Sequence, residues 1–145
     1  MDFLKSMDIS STGMSAQRSR LNVVSMNLAN ANTTRTEDGT AYRRKAVIFE
    51  TTPVDDSFEA QLQDSLDNKI YGVKVTDVVP VSGELKKTYD PTHPDADKEG
   101  YVSYPNVNLV EEMVSMLNAN RSYEANASAI KASKEMALKA LDIGR

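Results

Sequence analysis

The sequence predicts an α+β fold in which long N- and C-terminal helices pair as a coiled-coil-like bundle and carry a small β-rich middle domain. Three observations predict it. Apolar and small residues recur at alternating steps of three and four at both ends, which keeps them on one helical stripe. β-Branched residues gather between the ends. Charge is divided unevenly: residues 1–32 carry 3 positive and 2 negative charges, residues 107–145 carry 5 of each, and residues 33–106 carry 9 against 14. Nearly neutral segments at 1–32 and 107–145 therefore form one helical domain, and an acidic segment at 33–106 forms the other.

The first helix is predicted over 1–32, with Met7, Ser10, Met14, Gln17, Leu21, Val24, Leu28 and Ala31 on its stripe. Gly13, preceded by Ser10, Ser11 and Thr12, marks a bend or a late N-cap in it. Thr33 to Tyr42 lacks apolar periodicity and leaves the helix as a loop. Strands are expected at Arg43–Phe49, at Gly72–Val81 with Pro80 on an edge, and in short form at Leu85–Tyr89 and Tyr101–Tyr104. A short helix is expected at Asp55–Leu66, where Phe58, Leu62 and Leu66 share a face. Asp90 to Gly100, with Pro91, Pro94, Asp90, Asp95, Asp97 and Glu99, reads as a turn-rich acidic loop.

The second long helix begins after Asn108, a good N-cap with Glu111 three positions on, and Glu111 and Glu112 suit the positive end of its dipole. Leu109, Met113, Met116, Asn120, Tyr123, Ala127, Ile130, Lys134, Ala137 and Leu141 hold the three-four spacing to the end, and Gly144 is a stop. Ala125, Ala129, Ala132, Met136 and Ala140 form a second stripe about 100° around the same helix. Two such stripes call for two neighbours, and the chain offers one other long helix, so another copy or another protein covers the rest. Many seam positions are Ala, Ser or Asn and stabilise little, so the ends are expected to be loosely ordered in the monomer and fixed on assembly.

Composition excludes several functions. At 145 residues the chain is long enough for one ordinary core. A net charge of -4 does not suit a phosphate backbone, so no nucleic acid is expected. The absence of Cys removes disulfides, thiolate metal sites and Cys nucleophiles. No apolar run is long enough to span a bilayer, and the start, with Asp2, Lys5 and Asp8, lacks the apolar core of a cleaved signal. His93 is the single His and sits in the acidic loop, which leaves Ser-His-Asp catalysis without support. Asp95 to Gly100 imitates the start of a calcium loop, but Asn106 stands where a bidentate Glu is needed. No cofactor, metal or small-molecule substrate is expected. A small hydrolase would need a nucleophile-base pair that the sequence does not offer. A helical-hairpin adaptor or export chaperone would be a stable monomer or dimer with a groove for a partner helix.

Ser25-Met26-Asn27-Leu28-Ala29-Asn30-Ala31-Asn32-Thr33, followed by Tyr42-Arg43-Arg44, resembles the Asn-rich signature of the flagellar basal-body rod proteins. Asn118-Ala119-Asn120-Arg121-Ser122-Tyr123-Glu124-Ala125-Asn126 is similar to the partner motif of that family. Tyr89 to Asp97, Gly100-Tyr101-Val102 and Pro105 to Met113 resemble its short, proximal type. The resemblance implies a structural subunit whose terminal helices form the inner, polymerising layer around a hollow axis, with the β-rich middle outside. It also implies export from the cytoplasm by the flagellar type III apparatus and a place in the rod across the periplasm. Its implied partners are further copies of the chain, rod proteins of the FlgB, FlgF and FliE types, and the export apparatus.

The assembly contacts expected on this basis are Met14, Leu21, Val24, Asn27, Leu28, Asn30 and Asn32 on the first helix. On the second they are Leu109, Met113, Met116, Leu117, Asn118, Asn120, Tyr123 and Ile130. A buried Asn between packed helices fixes register at some cost in stability. Arg43 and Arg44, with Lys45, form a basic cluster that reads as a solvated strand edge and, alternatively, as an intersubunit contact facing an acidic neighbour in the polymer.

Overall fold

The computed structural model describes residues 3–53 and 70–143, so the short helix expected at Asp55–Leu66 lies outside the described residues. Helix α1 spans Phe3–Ala29 and helix α2 spans Leu109–Ile143. Strands β1 (Lys45–Pro53) and β2 (Tyr71–Pro80) form one antiparallel pair, and β3 (Lys86–Tyr89) and β4 (Tyr101–Tyr104) form another. The two helices pack on each other, and the β1–β2 ribbon lies against α1.

Helix α1 runs through Gly13 without a break, contrary to the expected bend. The hydroxyls that would compete with the helix are turned back onto it: Ser10 Oγ donates to the Ser6 carbonyl at 3.0 Å and Thr12 Oγ1 to the Ile9 carbonyl at 2.8 Å. Gly13 has a packing role as well. A Cβ there would come within 2.9 Å of Asn126 Nδ2 on α2, so the missing side chain lets the helices approach. The helix ends at Ala29, short of the expected Asn32: beyond it the bonding tightens to i−3, the Ala31 N–H donating to the Leu28 carbonyl at 3.3 Å and the Thr33 N–H to the Asn30 carbonyl at 3.1 Å, while Asn30 Nδ2 takes the Met26 carbonyl at 2.9 Å. The chain then turns through Gly39, whose φ of 74° suits a residue without Cβ.

Helix α2 starts as expected: Asn108 Oδ1 accepts from the Val110 N–H at 3.1 Å, and the Asn108 carbonyl accepts from the Glu112 N–H at 3.0 Å. Its inward side differs from the expected stripe. The buried residues are Glu112, Ala119 and Ser133, with half-buried Asn126 on the same seven-residue spacing. Met116, Ala127, Ile130 and Ala137 flank that seam half-buried, whereas Leu109, Met113, Asn120, Tyr123, Lys134 and Leu141 are exposed. Small side chains let the two backbones come close, and this rotates the larger apolar residues outward.

Contacts of Asn27 with Glu112 and of Gly13 with Asn126 fix an antiparallel register. Ten residues of α1 precede Gly13 and seventeen of α2 follow Asn126. At about 1.5 Å per residue, roughly 10 Å of α2 stands past the start of α1.

The β1–β2 register runs from Lys45 opposite Pro80 to Pro53 opposite Tyr71 and shifts between Ile48 and Phe49. Thr12 Oγ1 accepts from the Val73 N–H at 3.3 Å, which ties the outer side of β2 to α1. In the second pair Tyr89 faces Tyr101 with ring centroids 5.4 Å apart in an edge-on arrangement. Gly100, at φ 83°, lies under the Tyr89 ring where a Cβ would sit 2.9 Å from it. Val102 of β4 is fully buried. The buried apolar set is otherwise thin: Ala16, Val23, Val24, Ala31, Ala41, Tyr42 and Ala119.

Candidate functional site

Asn27 lies on the buried side of α1 at 1 % exposure, and its amide is fully engaged. Nδ2 donates to the Lys45 carbonyl at 2.9 Å and to Glu112 Oε2 at 3.0 Å. Oδ1 accepts from the Tyr42 hydroxyl at 3.0 Å and from the Lys45 N–H at 2.9 Å. Two donors and two lone pairs are the whole capacity of a carboxamide.

Glu112, from the first turn of α2, is completely buried. Its second oxygen accepts from Arg44 Nε at 2.6 Å, a short charge-assisted bond. The Arg44 N–H donates to Asn106 Oδ1 at 3.1 Å, and the Arg44 carbonyl accepts from the Val81 N–H at 2.7 Å. Asn106 in turn packs its Nδ2 onto Gly83, where a Cβ would lie 2.7 Å away. One polar cluster thus joins α1, the entry to β1, the exit of β2 and the start of α2. Burial, and next the Glu112 charge, push the Tyr42 phenol above its ordinary 10.0.

The expected assembly residues divide between this junction and the surface. Val24 and Asn27 are buried, and Met14, Leu21, Leu28, Asn30, Met116 and Ile130 are half-buried. Asn32, Leu109, Met113, Leu117, Asn118, Asn120 and Tyr123 are exposed. Arg43 is exposed, whereas Arg44 spends its Nε on Glu112 within the chain.

On the outer side of α2, Leu109 is 51 % exposed, Val110 64 %, Met113 49 %, Val114 51 % and Leu117 57 %. At steps of one, four, five and eight these five share a face of the helix. Val110 and Val114 belong to it although the three-four spacing passed over them. An uncovered apolar face of this kind is a candidate contact surface. Glu112, Tyr42 and Asn106 also escaped the sequence reading. Glu112 looked like a complement to the helix dipole, and nothing local announced partners 68 and 85 residues away.

The acidic loop is organised by its own backbone. His93 Nδ1 accepts from the Asp95 N–H at 3.1 Å, and Asp97 Oδ1 accepts from the Glu99 and Tyr101 N–H groups, both at 2.9 Å. Thr34 Oγ1 donates to Asp95 Oδ2 at 2.7 Å and holds the loop to the chain leaving α1. Among the described residues no group of His, Asp or Glu is arranged to hold a metal ion, and no helix is long and apolar enough to cross a membrane.

Residues 7–35 match the family described as flagella basal body rod protein, and residues 98–143 match the C-terminal family of the flagellar basal body rod FlgEFG proteins. The matched segments hold α2 and all but the first four residues of α1. The chain is also similar to flagellar basal-body rod proteins FlgC along its whole length. It is 46 % identical to that of Borreliella burgdorferi, covering 99 % of this chain and 98 % of the relative. It is 41 % identical to that of Bacillus subtilis and 39 % to that of Salmonella typhimurium, with both chains covered completely in each case. With full-length identity at this level and matched rod segments over α2 and most of α1, the chain belongs to the flagellar basal-body rod proteins of the FlgC type.

Proposed function

We propose that this chain is a structural, non-enzymatic subunit of the proximal rod of the flagellar basal body. Residues 1–32 and 107–145 act as its inner, polymerising domain, and residues 33–106 form the outer domain with the acidic loop 90–100. The observation that carries the reading is the uncovered apolar face of Leu109, Val110, Met113, Val114 and Leu117 on a helix whose other side is already packed. A lone soluble chain gains nothing from such a face, whereas copies arranged around an axis bury it.

In this reading the chain contacts further copies of itself and other rod components, among them the FlgB, FlgF and FliE types. It leaves the cytoplasm through the flagellar export apparatus and takes its place in the rod across the periplasm. Assembly, rather than turnover of a substrate, is its activity.

Deleting the gene should leave basal bodies without a complete rod and cells that do not swim, and the wild-type gene supplied in trans should restore both. Intact rods and normal swimming in the deletion strain would refute the reading.

A further inference from the structure

Where α1 meets the start of β1, an open cleft of about 220 Å³ is lined by Arg20, Arg44 and Lys45, with Val24 and Phe49 among its apolar walls. Glu112 also lines it, so three cationic groups face one carboxylate. That carboxylate is taken up by Arg44 Nε and Asn27 Nδ2. Arg20 makes no ion pair with any described residue. A concave site with surplus guanidinium charge and apolar walls suits a carboxylate side chain, which guanidinium groups bind with paired hydrogen bonds.

The same chain carries a matching knob. Glu37 and Asp38 are adjacent, exposed and without an ion-pair partner among the described residues. They ride on a tight turn: the Thr36 N–H and Oγ1 donate to the Thr40 carbonyl at 2.9 and 2.8 Å, and the Gly39 N–H donates to the Thr36 carbonyl at 2.9 Å. Three acids of the neighbouring acidic loop are already engaged, Asp90 with Thr92, Asp95 with Thr34, and Asp97 with two backbone amides.

We propose that the Arg20–Arg44 cleft of one copy receives the Glu37–Asp38 turn of a second copy. Different patches meet in such a contact, so it can repeat from copy to copy, as a ring or as an open filament according to the rotation between copies. The proposal rests on the rod-subunit reading and adds to it a specific joint between like chains.

The absence of Cys makes introduced thiols unambiguous reporters. Ser115 lines the cleft and Thr40 is exposed beside the turn, so Ser115→Cys and Thr40→Cys leave all four charges in place. Basal bodies isolated from cells producing both variants, treated with a short bis-maleimide, should yield a cross-linked dimer that neither variant gives alone. Intact rods that contain both variants and give no dimer overturn the joint while leaving the rod reading standing. Intact rods lacking both variants in swimming cells overturn the rod reading instead.

Charge exchange checks the same contact independently. Arg20→Glu should keep the monomer's melting temperature and lower its incorporation at least tenfold, and adding Glu37→Lys with Asp38→Lys should restore incorporation. Unchanged incorporation of Arg20→Glu overturns the joint, as does failure of the reversed turn to restore it.

Discussion

At the scale of single residues, the junction depends on groups that have no spare capacity. Asn27 makes all four of its bonds, so any substitution there leaves the Lys45 backbone, the Tyr42 hydroxyl and Glu112 short of partners. Glu112→Ala strips Arg44 and Asn27 at once. It should lower stability in urea unfolding by about 2–3 kcal/mol, below the full range for a broken buried pair because the Arg44 side chain is 31 % exposed. Glu112→Gln should not rescue it, since both partners are donors and the new amide nitrogen would face one of them.

Tyr42 supplies a pH signature. Its folded value lies above the unfolded one, so its contribution is fully present below pH 10.0 and is lost as pH rises through the raised value. Tyr42→Phe should cost about 1 kcal/mol at neutral pH and flatten the alkaline fall in melting temperature. Asp90 shifts the other way. The Thr92 hydroxyl, then the Thr92 amide, hold its carboxyl below the ordinary 3.8. The turn it caps should persist as pH drops through 3.8 and open as pH falls through the lowered value, which the Thr92 amide resonance would report.

At the scale of elements, the two helices and four strands were legible because their signals are local. The Asn108 cap, the β-branched run of β2 and the turn residues around Gly39 and Gly100 each specify a conformation within a few residues. The seam of α2 was not. Glu112, Asn126 and Ser133 are polar, and polar residues on a helix ordinarily face water, so the pattern pointed to the larger apolar side chains instead. Glu112 is buried by Asn27 of α1 and by Arg44 at the entry to β1, and Asn126 lies against Gly13 of α1, which no local pattern encodes. Gly13 shows the same limit, since its role depends on Asn126 across the seam. Gly13→Ala alone should be close to neutral, because the gain in helix propensity is offset by displacing the Asn126 amide. Combined with Asn126→Ser, it should raise stability by up to about 1 kcal/mol relative to Asn126→Ser alone, measured by thermal unfolding.

At the scale of the whole molecule, the proposed function has folding and assembly draw on different faces of the same helix. Leu117 is 57 % exposed, so Leu117→Asp should leave the monomer's melting temperature within a degree or two. The same change would place a charge in the buried face of the assembled rod, and it should abolish rod formation and swimming. A monomer that unfolds early would point to a folding defect, and normal swimming would remove α2's outer face from the interface.

The stagger of the two helices has a consequence for growth. With Leu138 and Leu141 uncovered on the overhang of α2, the extremities of each copy are unlike. In the proposed rod a column of such units would have a distinct head and tail, so every newcomer would dock the same way up.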